Sequence, residues 1–138
     1  MKRILIICLS LLCLLVCSCE KMVTKTLLEG TWKVSVTAYY KMTFLGTETE
    51  KTEDRGVWIF TFEDDGYGTI ETDSKFYEFT YKYRERKKVI EYEMDGKDGV
   101  WYVDKLTGSS LVFHSKEDSS LGELVSGYVE MTYKGKRK

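Results

Sequence analysis

The chain has 138 residues and a formal net charge of −1 at pH 7. That length suffices for one domain with its own core, and the near-neutral charge gives no reason to expect a nucleic-acid partner. The four cysteines are Cys8, Cys13, Cys17 and Cys19, so the sequence beyond them predicts neither a disulfide framework nor a cysteine-type zinc site.

The first sixteen residues have the pattern of an export signal. Lys2 and Arg3 precede the run from Ile4 to Val16, which is apolar except for Ser10. A membrane-spanning helix needs roughly 20 apolar residues, so this run is short for a span. It has the length of a signal-peptide core. The alternatives are an ordinary secretory peptide or a buried apolar helix.

The run ends in Val16-Cys17-Ser18-Cys19, which resembles the lipobox of bacterial lipoproteins. The resemblance implies that residues 1–18 are removed and that Cys19 carries a diacylglyceryl thioether. It also implies that the freed amine often takes a further fatty acyl chain, such as palmitate. Two or three acyl chains make a firm anchor, whereas one binds a membrane only marginally. We therefore expect a protein that is anchored to a membrane and does not span it.

The residues directly after Cys19 indicate to which membrane the protein is anchored. Glu20 is not the aspartate that is linked to inner-membrane retention in some bacteria. The run of acidic residues that marks surface export in other bacteria is also missing. We expect an outer-membrane anchor facing the periplasm. Residues 19–26 form the lipidated N-terminus and a polar tether that reaches on the order of 25 Å.

From residue 27 onward, period-2 alternation predicts a single β domain over residues 27–138. Leu27 and Leu28 could form one helical turn, after which alternate residues from Trp32 to Met42 share one face of a long strand. The polar residues 46–56 are predicted to hold the first turn. The remaining predicted strands are Val57–Glu63, Tyr67–Thr72, Phe76–Arg86, Val89–Met94, Val100–Asp104, Leu111–Ser115 and Glu123–Lys134.

Eight strands joined by mostly short turns predict an all-β antiparallel meander. The sequence contains no proline, which suits strands that donate every ladder hydrogen bond. An open meander has two exposed edges, and closure into a barrel removes both. We therefore predict an eight-stranded up-and-down barrel, with a two-sheet sandwich as the alternative.

Several short motifs make the predicted barrel resemble a known family. Gly30-Thr31-Trp32 at the head of the first strand resembles the Gly-x-Trp motif of lipocalins. Phe62 to Gly68, Trp101 to Asp104 and Leu111 to Phe113 add similar hydrophobic spacing. Together with the lipobox, they resemble the lipocalin-like domain family of small lipoproteins in Gram-negative bacteria. The resemblance implies a barrel with an apolar cup, although the chain lacks the C-terminal helix and disulfides of true lipocalins.

No constellation of residues predicts catalysis, so we do not expect an enzyme. His114 is the only histidine, lies on a predicted strand and faces outward. The group Glu63-Asp64-Asp65 lacks EF-hand spacing and fits turn chemistry. No metal site or cofactor is predicted.

Each of two basic segments has two possible interpretations. The run from Arg84 to Lys88 is a charged strand end, or else a docking patch for an acidic partner. The tail from Lys134 to Lys138 is a frayed end, or else a weak contact with anionic head groups.

The functional hypothesis is that the interior of the barrel binds a ligand. Trp32, Leu27 and Leu28 are predicted to form a structural plug at the bottom. A small apolar ligand would bind against five bulky side chains, namely Trp58, Phe60, Tyr81, Tyr92 and Trp101. No basic side chain is predicted inside. The alternative function is that of an accessory envelope lipoprotein that docks on a partner protein through its outer surface.

Overall fold

A computed structural model describes residues 27–120 and 124–138. The predicted signal (residues 1–18), the lipidated Cys19 and the tether (residues 19–26) lie outside the described residues. Within the described part, no helix is long and apolar enough to cross a membrane.

The described chain forms a closed barrel of eight antiparallel strands, in which each strand pairs with its neighbours in sequence and β1 pairs with β8. This confirms the predicted barrel and excludes the sandwich. The strands are β1 Gly30–Phe44, β2 Thr47–Phe62, β3 Tyr67–Glu71, β4 Phe76–Arg84, β5 Val89–Met94, β6 Lys97–Leu106, β7 Ser110–Ser120 and β8 Val125–Arg137.

The strands differ greatly in length, and this shapes the molecule. β1 and β2 have 15 and 16 residues, whereas β3 has 5. β3 pairs with β2 only between Ile59 and Phe62, so the rest of β2 has β1 as its single neighbour. The long strands therefore continue past the barrel as a sheet, called here the extension, made of residues 37–54, 116–120 and 125–132.

The prediction of a turn over residues 46–56 was wrong. The turn is only Leu45-Gly46, whose φ angles of 49° and 79° are both positive, as a type I′ hairpin requires. Thr47 already belongs to β2 and pairs with Phe44. The segment is polar because it is an open edge strand, and charged side chains on such an edge discourage pairing with other chains.

The core fills the barrel with apolar side chains. All buried side chains in the described residues are hydrophobic, and every buried polar side-chain atom has a hydrogen-bond partner. The core cluster comprises Leu28, Trp32, Val34, Val36, Phe60, Phe62, Ile70, Phe79, Tyr81, Ile90, Trp101, Val103, Leu111, Phe113 and Tyr133.

One end of the barrel, called here the closed end, is shut by the chain's own termini. Trp32 has no exposed surface, and its indole Nε1 donates to the carbonyl of Leu28 at 2.9 Å. The Arg137 guanidinium lies 4.3 Å from the Trp32 ring centroid. Arg137 also donates to the carbonyls of Gly108 and Glu29, both at 2.8 Å, and to that of Leu27.

Arg137 explains two features of the sequence. A Cβ on Gly30 would lie 2.5 Å from the Arg137 guanidinium, so the close approach of this side chain requires glycine there. Since β8 continues to Arg137, the expectation of a frayed end over residues 134–138 was wrong. The fixed arginine anchors the last strand to the first helical turn.

Candidate ligand-binding mouth of the barrel

The middle of the barrel interior is filled by aromatic rings. Phe60 meets Trp101 at 5.7 Å, Phe113 at 5.5 Å and Tyr133 at 5.7 Å between ring centroids. Phe113 and Tyr133 stack at 4.5 Å with an interplanar angle of 9°. Tyr133 pairs with Val36, beyond Trp32 along β1. These rings therefore form the floor of the remaining space, in place of the Trp32 floor expected from sequence.

Three of the five residues predicted to contact a ligand lie in this packed interior. Phe60 and Trp101 are buried inside the aromatic cluster. Tyr81 is buried near the closed end, where its hydroxyl donates to the carbonyl of Glu63 at 2.5 Å. Burial raises the pKa of Tyr81 to about 12.

The other two lie where the floor meets the opening. Trp58 is half-buried against the core and approaches Tyr133 edge-on at 6.2 Å. Tyr92 is also half-buried and stacks on Trp101 at 3.9 Å. These two border the floor, and Tyr81, which pairs with Tyr92, lines with it a further opening of about 550 Å³ at β4, β5 and β6. The ligand-binding role itself stays a prediction.

The wall above Trp58 is built by a β-bulge in β2. The pairing with β1 shifts between Val36 and Thr37, opposite Gly56 and Asp54, so Arg55 is the extra residue. Gly56 has a φ of 87°, which suits glycine at a bulge, and its N–H donates to the Asp54 carboxylate at 2.8 Å.

The bulge directs a basic side chain to the inner face of the extension. Arg55 donates to the hydroxyl of Tyr40, which shares its face of β1 with Trp32 and Val36. Glu53, on the same inner face, lies 3.6 Å from the Arg55 guanidinium. Arg55 is therefore a basic side chain at the mouth, where it is exposed and its charge is paired.

A groove of about 540 Å³ lies along this inner face. Its volume falls within the range of roughly 300–1,000 Å³ that small-molecule sites occupy. The lining combines an aromatic ring, a thioether and several polar groups, from Tyr40, Met42, Thr49, Glu50, Lys51 and Glu53.

A second opening of about 510 Å³ separates the upper parts of β6 and β7. The two strands pair from Tyr102 and His114 towards the closed end. On the mouth side of those two residues they separate. Tyr92 and Glu117 are among the lining residues. The pKa of Tyr92 is raised, mainly by burial and further by the Glu117 charge. Burial also raises the pKa of Tyr133 to about 12, against a lowering hydrogen bond from Ser115.

Only a weak signal for this site is present in the sequence. Asp54-Arg55-Gly56 is a polar segment ending in glycine, which equally fits a loop, and the bulge appears only when β1 pairs with it. The period-2 pattern through Tyr40 and Met42 does indicate the site, because it continues the inner face of β1 beyond Ala38.

The side chains singled out for catalysis or metal binding lie elsewhere. His114 is on the outer face, with its Nδ1 2.7 Å from the Asp104 carboxylate and its ring stacked on Tyr102 at 5.3 Å. Within the described ranges, no group of three or more histidine, cysteine or acidic side chains could hold a metal ion.

Comparison with known proteins agrees with the barrel. No curated protein and no solved structure matches the chain. A family model described as a lipocalin-like domain matches residues 28–113, from the plug residue Leu28 to the floor residue Phe113. This family is typically a binding fold without enzymatic activity. The chain belongs to the family of lipocalin-like domains.

Proposed function

We propose that this protein is a membrane-anchored lipocalin-like lipoprotein that holds a small amphipathic molecule in the mouth of its barrel. The observation that carries the proposal is the groove of about 540 Å³ on the inner face of the extension, next to an aromatic floor. Lipid on Cys19 would attach the domain to its membrane, as the lipobox resemblance implies.

The lining favours a ligand with an apolar body and a polar end. Half-buried Trp58, Tyr92 and Met131 border the floor and offer apolar contact area. Apolar walls drive such binding, and a few polar groups fix the orientation. Those groups are the Tyr40 hydroxyl and three charged side chains that line the groove, Glu50, Lys51 and Glu53, with Arg55 next to Tyr40 and Glu53. Because these two acidic and two basic side chains balance, the fitting polar end is uncharged or zwitterionic.

A titration of residues 20–138 with a fluorescent apolar probe tests the proposal, with quenching of the three tryptophans as the readout. We expect saturable one-to-one binding. Met42→Ser and Tyr40→Ala, which both change the lining of the groove, should each weaken it about ten-fold, which corresponds to loss of roughly 1.4 kcal/mol of contact.

The matched control is Tyr102→Ala, which removes an exposed ring from the outer face of the same barrel. It should leave probe affinity unchanged. Absence of saturable binding, or equal weakening by Tyr102→Ala, would contradict the ligand-binding proposal.

A second function is favoured by the far tip of the extension, which carries three exposed apolar residues. Phe44, Leu45 and Leu124 are 55%, 64% and 63% exposed, and the Leu45 N–H donates to the Leu124 carbonyl at 3.2 Å. Such a patch fits docking on an envelope protein. Crosslinking in cells from a photoreactive residue at position 45 should then capture one defined partner, whereas position 75 should capture none.

A further inference from the structure

Four lysines on the outer face of the barrel form a basic surface beside the closed end. They are Lys33 on β1, Lys134 and Lys136 on β8, and Lys105 on β6, all exposed. Lys33 pairs directly with Lys136 across the β1–β8 ladder. Lys134 and Lys105 flank Val112 on the strand between them. We call these four side chains the lysine patch.

The lysine patch contains no acidic side chain, and the one acidic residue next to a patch lysine in sequence, Asp104 beside Lys105, contacts His114 at 2.7 Å. Like charges directly opposite each other on a sheet are unfavourable. The residues that pair with the patch lysines across neighbouring strands include the neutral Ser35, Ser110 and Val112. None of the ion pairs in the described part of the chain involves a patch lysine. This arrangement therefore favours an anionic surface from outside the barrel.

This inference rests on the lipid anchor of the proposed function, and the position of the patch near that anchor points to a membrane as the surface. Lys136 precedes Arg137, which binds the backbone of Leu27 and Glu29 where the described chain begins. The predicted lipid site at Cys19 is connected to Leu27 only by the tether (residues 19–26), which spans at most on the order of 25 Å. The acidic turn Glu63–Asp65 follows β2, so it lies on the opposite flank of β1 from β8.

We propose that the lysine patch binds the anionic head groups of the membrane to which the protein is anchored. Contact at this end of β1 and β8 places the closed end at the lipid surface, so that the extension and the mouth, at the other end of the same strands, lie farther from it. Each basic side chain near an anionic bilayer strengthens association by about five-fold. The attraction falls off within the Debye length of about 10 Å at 0.1 M salt, so the contact needs the short tether.

The test measures how fast each lysine of the membrane-extracted protein reacts with an amine-acylating reagent, read by peptide mass spectrometry. The protein is added to nanodiscs of phosphatidylcholine alone or of an equal mixture with phosphatidylglycerol. We expect Lys33, Lys134 and Lys136 to react about five-fold more slowly on the anionic discs, and high salt to abolish the difference.

Two lysines at the open end serve as internal controls, Lys75 before β4 and Lys97 at the start of β6. Their reaction rates should be the same on both kinds of disc. In a Lys134→Gln/Lys136→Gln variant, the protection of Lys33 should disappear. Equal rates on neutral and anionic discs, or equal slowing of Lys75 and Lys97, would overturn the proposal and leave an acidic protein as the partner to seek.

This test is independent of the ligand-binding proposal, because the footprint reports the outer face and not the mouth. If the barrel binds no probe but the patch lysines are protected, only the ligand-binding proposal fails. If the barrel binds the probe but the patch lysines are not protected, only the membrane-contact proposal fails.

Discussion

An arginine contacts an aromatic ring at each end of the barrel, and the two are held very differently. Arg137 lies 4.3 Å from the Trp32 ring centroid and donates to three backbone carbonyls. Arg55 lies 5.9 Å from the Tyr40 ring centroid and contacts a hydroxyl and the Glu53 carboxylate. Backbone acceptors are fixed by the fold, whereas side-chain acceptors can move away with little cost.

The contrast extends from the arginines to the parts of the molecule around them. Near Arg137 the interior is filled, with Trp32, Leu28 and Phe62 at most 1% exposed. Around Arg55 the inner face of the extension is half-buried and lines a groove. We infer that the closed half, meaning the barrel from the closed end to the aromatic floor, supplies stability and that the extension, whose inner face is not fully buried, leaves room for binding.

The largest expected effect compares two tryptophans. Trp32→Ala should cost about 3–5 kcal/mol of unfolding free energy, the usual range for a buried large aromatic. Trp58→Ala should cost less than half as much, because Trp58 is only half-buried at the edge of the core. Urea unfolding followed by circular dichroism measures both. Equal losses would break the distinction between the halves.

The next effect concerns two buried tyrosines at high pH. The folded-state pKa values of Tyr81 and Tyr133 are raised to about 12 from 10.0. Above pH 10 the unfolded chain therefore loses these protons first. The stability that each tyrosine contributes is complete below about pH 10 and falls between about pH 10 and 12, by roughly 2–3 kcal/mol for Tyr133 and by less for Tyr81, which solvent screens more.

The check is the unfolding free energy of wild type and of Tyr81→Phe/Tyr133→Phe, measured from pH 8 to pH 12. The variant starts lower, since it loses the hydrogen bond to Glu63, but its stability should decline less steeply. Parallel curves would show that these hydroxyls are not held neutral by burial.

A smaller effect distinguishes the arginines. Arg137→Ala should lower the unfolding free energy by about 2 kcal/mol, through lost hydrogen bonds to a charged donor and a lost ring contact. Arg137→Lys should recover only part, because an ammonium lacks the guanidinium fork. The neighbouring Lys136→Ala is the control and should change the unfolding free energy by less than about 0.5 kcal/mol.

The smallest effect is expected at the other arginine. Arg55→Gln should cost less than about 1 kcal/mol, the usual limit for an exposed ion pair, and Tyr40→Phe should cost no more. Both variants should unfold in the same urea range as wild type. A loss at Arg55 as large as that at Arg137 would mean that the extension stabilises the barrel.

The sequence predicted the parts that follow from a regular pattern. Alternation from Trp32 to Met42 identified the first strand and its inner face, and the Gly30-Thr31-Trp32 motif located the plug. The turn after Asp64 was also predictable, because Gly66 tolerates the positive φ found there.

The sequence could not reveal features that depend on partners far along the chain. Arg137 resembled a solvated tail until its acceptors at Leu27, Glu29 and Gly108 were known. Arg55 resembled a loop residue because an exposed edge strand is polar on both faces. Its position in the mouth depends on a register shift opposite Val36, which is a property of the pairing and not of either strand alone.

Native-state hydrogen exchange, measured with and without the apolar probe, tests the central claim most directly. Amides of the closed half, such as those of Trp32, Phe60 and Phe113, should exchange only through global unfolding, whereas residues 40–53 should exchange through local opening. Saturating probe should slow exchange in residues 40–53 and leave the closed half changed only by the gain in global stability. Uniform exchange along β1 and β2, or probe protection confined to the closed half, would contradict the separation of stability from binding.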